Sequence, residues 1–114
     1  MPGISIHAVD IGRGAAAKGL RVRVDRIGDE TSTFVADGLV GANGLVNAAA
    51  LGGVMPSGVY EATFYIGEYL AAGGTTPTFL DIVPFRFAIN DPESHCHLPF
   101  KFTPYGFSCF RGAE

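Results

Sequence analysis

The sequence predicts an all-β sandwich, and three observations support this fold class. Short runs of alternating apolar and polar residues recur along the chain, as expected for strands that are buried on one face. Glycine and proline, 16 and 7 of the 114 residues, separate these runs at short intervals. Helical character is confined to one short segment, which argues against a parallel sheet with crossover helices. We therefore expect roughly seven or eight short strands and a single helix in one domain, residues 1–114.

Two runs near the amino terminus alternate most clearly. Residues 4–10 predict a strand that carries His7 on its less apolar face. Residues 20–27 alternate apolar with charged side chains, so that one face belongs to the core and the other to water. Between them, the glycine-rich residues 12–19 predict a loop.

Turn signals divide the middle of the chain into short segments. Asp37-Gly38 is predicted to end one strand, and Asn43-Gly44 to form the tight turn of a hairpin. Residues 67–72 predict the short helix, because Gly73-Gly74 would stop it after about two turns. Further strands are predicted at residues 31–35, 58–66 and 79–89.

The carboxy-terminal segment contains two of the three histidines and both cysteines. Alternation places His95 and His97 on one face of a strand. Residues 103–106, Thr-Pro-Tyr-Gly, predict a turn after which the chain returns beside that strand. Cys96 and Cys109 fall on the two arms of this hairpin. We expect both to be reduced, small apolar residues, because no second cysteine stands at metal-binding or redox spacing.

Charge and hydropathy exclude several classes of function. A net charge of −3 offers no basic stripe for a phosphate backbone, so we expect no nucleic-acid partner. The apolar residues occur in short interrupted runs, so no membrane-spanning segment is predicted. The amino terminus lacks the pattern of a signal peptide, which predicts a cytoplasmic protein.

The order of several motifs is distinctive. The chain reads Ile-His-Ala-Val-Asp near its start, then an Ala-Asn-Gly turn, a Gly-Val-Tyr-Glu-Ala-Thr-Phe strand and a Gly-Glu-Tyr-Leu helix; it ends with His-Cys-His-Leu-Pro, Pro-Tyr-Gly-Phe-Ser and Phe-Arg-Gly. This order resembles the transthyretin family, and within it the enzyme branch of 5-hydroxyisourate hydrolases. The resemblance implies a sandwich of two four-stranded sheets with one short helix. It also implies a homotetramer with active sites at the dimer-dimer interface, a small cyclic substrate, and no cofactor or metal.

The same resemblance implies roles for individual residues. His7 and His97 match the family's catalytic histidines and would activate water, and Arg111 would assist the oxyanion or the substrate. Hydrolysis of a cyclic amide needs such groups: a base for the water, a donor for the developing oxyanion and an acid for the leaving nitrogen. Histidine suits the proton transfers because it titrates near neutral pH. His95 is expected to support the site.

Three departures from the family are expected to alter the substrate site. Where the family has an arginine after the central turn, this chain has Leu45. The family ending Tyr-Arg-Gly-Ser reads Phe110-Arg111-Gly112-Ala113. Because each change replaces a polar group by an apolar or smaller one, Leu45, Phe110 and Ala113 should favour a more apolar ligand than a purine derivative.

Four hypotheses follow from these residues. The first is a hydrolase resembling 5-hydroxyisourate hydrolase, acting in urate and purine degradation. The second is an enzyme on the same scaffold that hydrolyses or cyclises a different, more apolar cyclic substrate. The third is a non-enzymatic carrier of an aromatic small molecule. A three-histidine zinc site is a workable alternative for His7, His95 and His97, ranked below metal-free chemistry because the family requires no metal.

Overall fold

Two β-sheets packed face to face form the computed structural model, which describes residues 2–113. A 3-10 helix covers Ala49–Gly52, and the α-helix of the described chain, α1, spans Ile66–Ala72. The strands are β1 (Ile4–Asp10), β2 (Ala15–Ala16), β3 (Arg21–Ile27), β4 (Ser32–Val40), β5 (Val46–Asn47), β6 (Gly58–Tyr65), β7 (Ile82–Ile89), β8 (Cys96–Thr103) and β9 (Gly106–Cys109). The predicted all-β sandwich with one short helix is confirmed.

The strand order places the two ends of the chain side by side. One sheet has the order β2-β1-β8-β9, and the other β5-β4-β3-β6-β7. Strands β1 and β8 pair in parallel, whereas the remaining neighbours pair antiparallel. This parallel pair positions the amino-terminal histidine strand directly beside the carboxy-terminal one.

The second sheet differs from the expected four strands because it has a fifth, β5, of two residues. The predicted turn at Asn43-Gly44 returns the chain so that Val46 pairs with Val40. Asp37-Gly38 does not end β4 as predicted. The strand continues because Asp37 forms an ion pair of 2.8 Å with Arg21 on the neighbouring strand, and because a side chain at Gly38 would collide with the carbonyl of Asn47.

The core lies between the sheets and is rich in aromatic residues. Phe64 of one sheet stacks on Phe100 of the other, with ring centroids 3.7 Å apart. Each large apolar side chain so buried stabilises the fold by about 1.5–3 kcal/mol relative to exposure.

Cys96 and Cys109 are free thiols, and burial raises the pKa of Cys109 to about 12. This thiol is therefore unreactive at neutral pH.

The only charged side chain that is buried among residues 2–113 is Asp10, at the end of β1. It accepts hydrogen bonds from the Tyr69 hydroxyl (2.9 Å) and from the backbone N–H of Arg13 (3.2 Å). A pocket of about 880 Å³ opens beside it, lined also by Lys18 and Glu68.

No helix in the described part of the chain has the length and apolar character needed to cross a bilayer.

Candidate active site

The parallel pairing of β1 with β8 brings His7 and His97 onto one face of the four-stranded sheet. Ser5 lies opposite His97, and His7 lies opposite Pro99. We call this side, which carries Ser5, His7, His97 and Pro99, the histidine face. Neighbouring strands are about 4.8 Å apart and two residues span about 6.6 Å, so His7 and His97 are diagonal neighbours roughly 8 Å apart at the backbone. Ile6 and the other alternate residues of β1 are buried on the opposite face.

His7 is held by the turn that precedes β5. Its backbone forms an antiparallel bridge with Leu45, and the next residue, Ala8, donates an N–H bond of 2.9 Å to the carbonyl of Gly44. Gly44 is buried with φ +85°, and a Cβ there would collide with the His7 imidazole. The side chain of Asn43 steadies the turn by accepting the N–H of Leu45 at 3.0 Å.

The predicted substrate residue Leu45 therefore lies beside His7. Residues directly opposite in an antiparallel bridge place their side chains on the same face, with Cβ atoms about 4.5–5.5 Å apart. Leu45 is half-buried there. The position where the family has an arginine thus presents an apolar side chain to His7.

His97 is flanked by the carboxy-terminal segment. Gly112 donates its N–H to the carbonyl of His97 at 2.8 Å, and a Cβ on Gly112 would lie 3.0 Å from Cδ2 of the His97 ring. Phe100 pairs with Cys109 and His97 with Gly112, so the same register places Phe110 opposite Pro99 on the histidine face. The Phe110 side chain is 46% exposed. A ligand on this face would contact it.

Ser5 joins the two histidines of the carboxy-terminal segment, and sequence reasoning missed it. The Oγ atom of Ser5 lies 2.7 Å from Nε2 of His95 and 2.6 Å from Nδ1 of His97. His95 itself precedes β8 rather than lying within it, and its Nδ1 is 3.4 Å from the carbonyl oxygen of Pro2. The alternation of β1 puts Ser5 on the same face as His7, which was a usable signal. The parallel register that brings it to His97 was not visible.

Within the chain, Arg111 and Ala113 do not lie on the histidine face with His7 and His97. Arg111 falls opposite Leu98, a buried residue, so its side chain leaves on the other side of the sheet. There it lines a pocket of about 170 Å³ with Asp91, Cys96 and an edge of His95. Burial raises the pKa of the Cys96 thiol and the Arg111 charge partly opposes this rise. Ala113 follows as an exposed residue beside Gly112. The roles predicted for Arg111 and Ala113 stay predictions.

The zinc alternative receives no geometric support. Among residues 2–113, no three His, Cys, Asp or Glu side chains converge as a metal site. The reason is local, because one ring nitrogen of His95 and one of His97 are both directed at the Ser5 hydroxyl.

The histidine face is an open surface in one chain. Neither the pocket beside Asp10 nor the pocket beside Arg111 includes His7 or His97. No group of the described residues forms a hydrogen bond with the His7 ring or with Nε2 of His97. Gly44 packs against Nε2 of His7, whereas Nε2 of His97 has no hydrogen-bond partner among the described residues. A histidine nitrogen without a partner in the fold is what general acid-base chemistry needs.

Comparisons with known proteins agree with this fold. The model of the HIUase/Transthyretin family matches residues 4–112. A 5-hydroxyisourate hydrolase of Deinococcus radiodurans is 34% identical over 115 residues, covering 98% of this chain and 97% of that protein. The 5-hydroxyisourate hydrolase structure from Klebsiella pneumoniae superposes with a TM-score of 0.81 at 31% identity, covering 99% and 100% of the two chains. The structure of an (S)-allantoin synthase superposes with a TM-score of 0.85 at 31% identity; it covers 97% of this chain but only 43% of the synthase.

Proposed function

Because the chain belongs to the HIUase/Transthyretin family, we propose that it is an enzyme that hydrolyses 5-hydroxyisourate, a reaction of purine degradation. The observation that carries this proposal is that His7 and His97 lie on one sheet face. Each has a ring nitrogen without a hydrogen-bond partner in the described chain. Relatives that carry the hydrolase name match over nearly the full chain. We further propose a single domain over residues 1–114, acting in the cytoplasm.

The two histidines divide the proton transfers. His97 takes a proton from water through Nε2, and the water oxygen adds to the ring carbonyl carbon of the substrate. The tetrahedral intermediate then collapses, the carbon–nitrogen bond breaks, and the leaving nitrogen takes a proton from His7. General acid-base help of this kind contributes about 10²–10⁴-fold to a rate. His97 then releases its extra proton to solvent and His7 takes one up from solvent, which restores the starting state.

The open histidine face supports an assembled active site. His7 and His97 are only half-buried, and Phe110 is 46% exposed beside them. Excluding water from a reacting centre strengthens the interactions inside it, and one chain alone leaves this face uncovered. We therefore propose a homotetramer in which a second copy faces this sheet and each site lies at the dimer-dimer interface.

Arg111 is placed differently from the two histidines. Its side chain lies behind the sheet that carries the histidines in the same chain. The role in oxyanion or substrate binding therefore requires Arg111 from another subunit of the proposed tetramer. Within the chain, a ring N–H of His7 can donate a hydrogen bond to the oxyanion.

The test is the decay of freshly generated 5-hydroxyisourate, followed by its ultraviolet absorbance with and without protein. The wild-type chain should accelerate the decay, and His97→Ala should lower kcat by about 10²–10⁴-fold. Since His97 is half-buried, circular dichroism should show the variant folded. Decay at the spontaneous rate with the folded wild-type protein would exclude this substrate.

A second candidate is the same chemistry on a more apolar cyclic substrate. Leu45 beside His7 and Phe110 beside Pro99 favour it, because both make the face less polar. A charged donor removed from an oxyanion site typically costs about 100–1000-fold in rate. Leu45→Arg should therefore raise turnover of 5-hydroxyisourate if the site is retuned, with Leu39→Arg, on an exposed leucine of β4, as the matched control. An unchanged or lower rate in Leu45→Arg would count against a retuned site.

A further inference from the structure

The hydrogen bonds of Ser5 form a chain whose direction can be worked out from one end. Four groups follow one another in space: the carbonyl of Pro2, the His95 ring, the Ser5 hydroxyl and the His97 ring. His95 takes part through both ring nitrogens, and His97 through Nδ1 alone. A neutral imidazole has one N–H donor and one acceptor nitrogen. The polarity of one link therefore fixes the polarity of the next.

The Pro2 end sets this polarity, because a carbonyl oxygen can only accept. Nδ1 of His95, 3.4 Å from that oxygen, is then the protonated nitrogen, and Nε2 of neutral His95 is an acceptor. The backbone around this link is fixed, since Cys96 donates its N–H to the carbonyl of Gly3 at 2.9 Å. The amino-terminal segment thus lies beside His95, immediately before β1 begins.

The remaining two links follow in order. The single hydroxyl proton of Ser5 is donated to Nε2 of His95 at 2.7 Å. Ser5 then has only lone pairs to offer His97, whose Nδ1 at 2.6 Å must be the donor. A neutral His97 with its proton on Nδ1 has its lone pair on Nε2, the nitrogen without a partner in the described chain.

We propose that Ser5 is a positioning residue that, with His95, holds His97 in the tautomer able to act as a base through Nε2. The proposal rests on the proposed function for its catalytic meaning, but the tautomer itself is a property of the resting protein. When Nε2 takes a proton from water, the imidazolium of His97 keeps its Nδ1–H bond to Ser5, so no other proton needs to move. In this proposal His95 acts through Ser5 and does not touch the substrate.

The first test reads the tautomer directly. Nitrogen-15 correlation spectra of the histidine rings, recorded where the rings are neutral, should show the proton of His97 on Nδ1 in the wild-type protein. Ser5→Thr keeps the hydroxyl on a strand position and should keep this tautomer, whereas Ser5→Ala should release it. A His97 proton on Nε2 in the wild type would overturn the proposal, whatever the enzyme hydrolyses.

The second test uses a rescue that a merely structural role would not produce. In His95→Phe, Ser5 loses its acceptor and can turn to donate to Nδ1 of His97, which moves the His97 proton to Nε2. We expect kcat to fall by about 10- to 100-fold with KM changed less than about twofold, since a general base is disabled. Adding Ser5→Ala removes the wrongly directed donor, so the double variant should be more active than His95→Phe alone.

A matched control separates this effect from the loss of any serine hydrogen bond. Ser57 donates its hydroxyl to the carbonyl of Asn90 at 3.1 Å, on an exposed surface. Ser57→Ala should leave both the His97 spectrum and kcat unchanged. A double variant no better than His95→Phe would overturn the relay. If the wild type fails to hydrolyse 5-hydroxyisourate but shows the Nδ1 proton, the proposed function fails and the relay stands.

Discussion

The two ends of strand β1 carry polar side chains in opposite situations. Near its start, Ser5 and His7 point to the histidine face, where the His7 ring and Nε2 of His97 form no hydrogen bond with the described residues. At its end, Asp10 points inward, is 4% exposed, and has both carboxylate oxygens bonded, to Tyr69 and to the backbone of Arg13. The same strand thus carries polar groups on an exposed face near its start and a buried, hydrogen-bonded carboxylate at its end.

A pocket opens at the Asp10 end of this strand, away from His7 and His97. This pocket of about 880 Å³ lies beside Asp10, and each carboxylate oxygen of Asp10 already accepts a hydrogen bond within the chain. The histidine face is not part of that pocket, but it retains ring nitrogens without hydrogen-bond partners among the described residues. Buried polar groups are normally satisfied by the fold itself, so half-buried groups without partners are the better guide to chemistry here.

The largest expected effect comes from a substitution at Gly44, which packs against His7. Gly44→Ala puts a methyl group into the imidazole and also places alanine at φ +85°. A displacement of about 1 Å at a reacting group can cost about 100-fold in rate, so kcat/KM should fall by about that factor. Overpacking should in addition lower the free energy of unfolding by about 1–3 kcal/mol. Enzyme assay and urea denaturation measure the two effects.

Gly74 provides the matched control for the backbone. Its φ is +88°, yet a Cβ there would meet no atom within 4 Å. Gly74→Ala should therefore show only the cost of alanine in the left-handed region, about 1–2 kcal/mol, and keep full activity. Equal activity of the two variants would mean that Gly44 does not set the position of His7.

Much of this arrangement was visible in the sequence. Alternation assigned β1, β3 and β8 to their faces, and the glycine pair placed the end of α1. The face shared by His7 with Ser5 follows from the same period of two. Such features are local, because they depend only on neighbours along the chain.

The features that sequence reasoning missed depend on pairing between distant segments. The parallel register of β1 with β8 sets Ser5 beside His97, 92 positions away, and no local pattern specifies it. The same limitation applies to Arg111, where the register of the last residues decides which side of the sheet it faces. Strand β4 ran past Asp37-Gly38 because tertiary contacts outweighed a turn signal.

The structural end of β1 should respond in stability rather than in activity. Tyr69→Phe keeps the edge-on contact with the ring of Phe102 but removes a hydroxyl donor from buried Asp10. Leaving a buried acceptor short of a partner costs about 1–3 kcal/mol, whereas kcat should stay within about twofold of the wild type. Tyr105→Phe is the control, since Tyr105 is 71% exposed. A large loss of kcat in folded Tyr69→Phe would show that the Asp10 end of β1 also contributes to activity.

The smallest effect is the pH dependence of that stability difference. Burial, and then the hydrogen bond to Asp10, raises the pKa of Tyr69 above its ordinary value. The folded protein then keeps a proton that the unfolded chain releases near pH 10, so stability falls as pH rises above about 10. Tyr69→Phe lacks this proton, and the other tyrosines and the cysteines titrate in both proteins. The stability advantage of the wild type over Tyr69→Phe should therefore be full at about pH 8 and smaller at about pH 11. An advantage that grows with pH in urea denaturation would show that the Tyr69 hydroxyl is not held protonated by the fold.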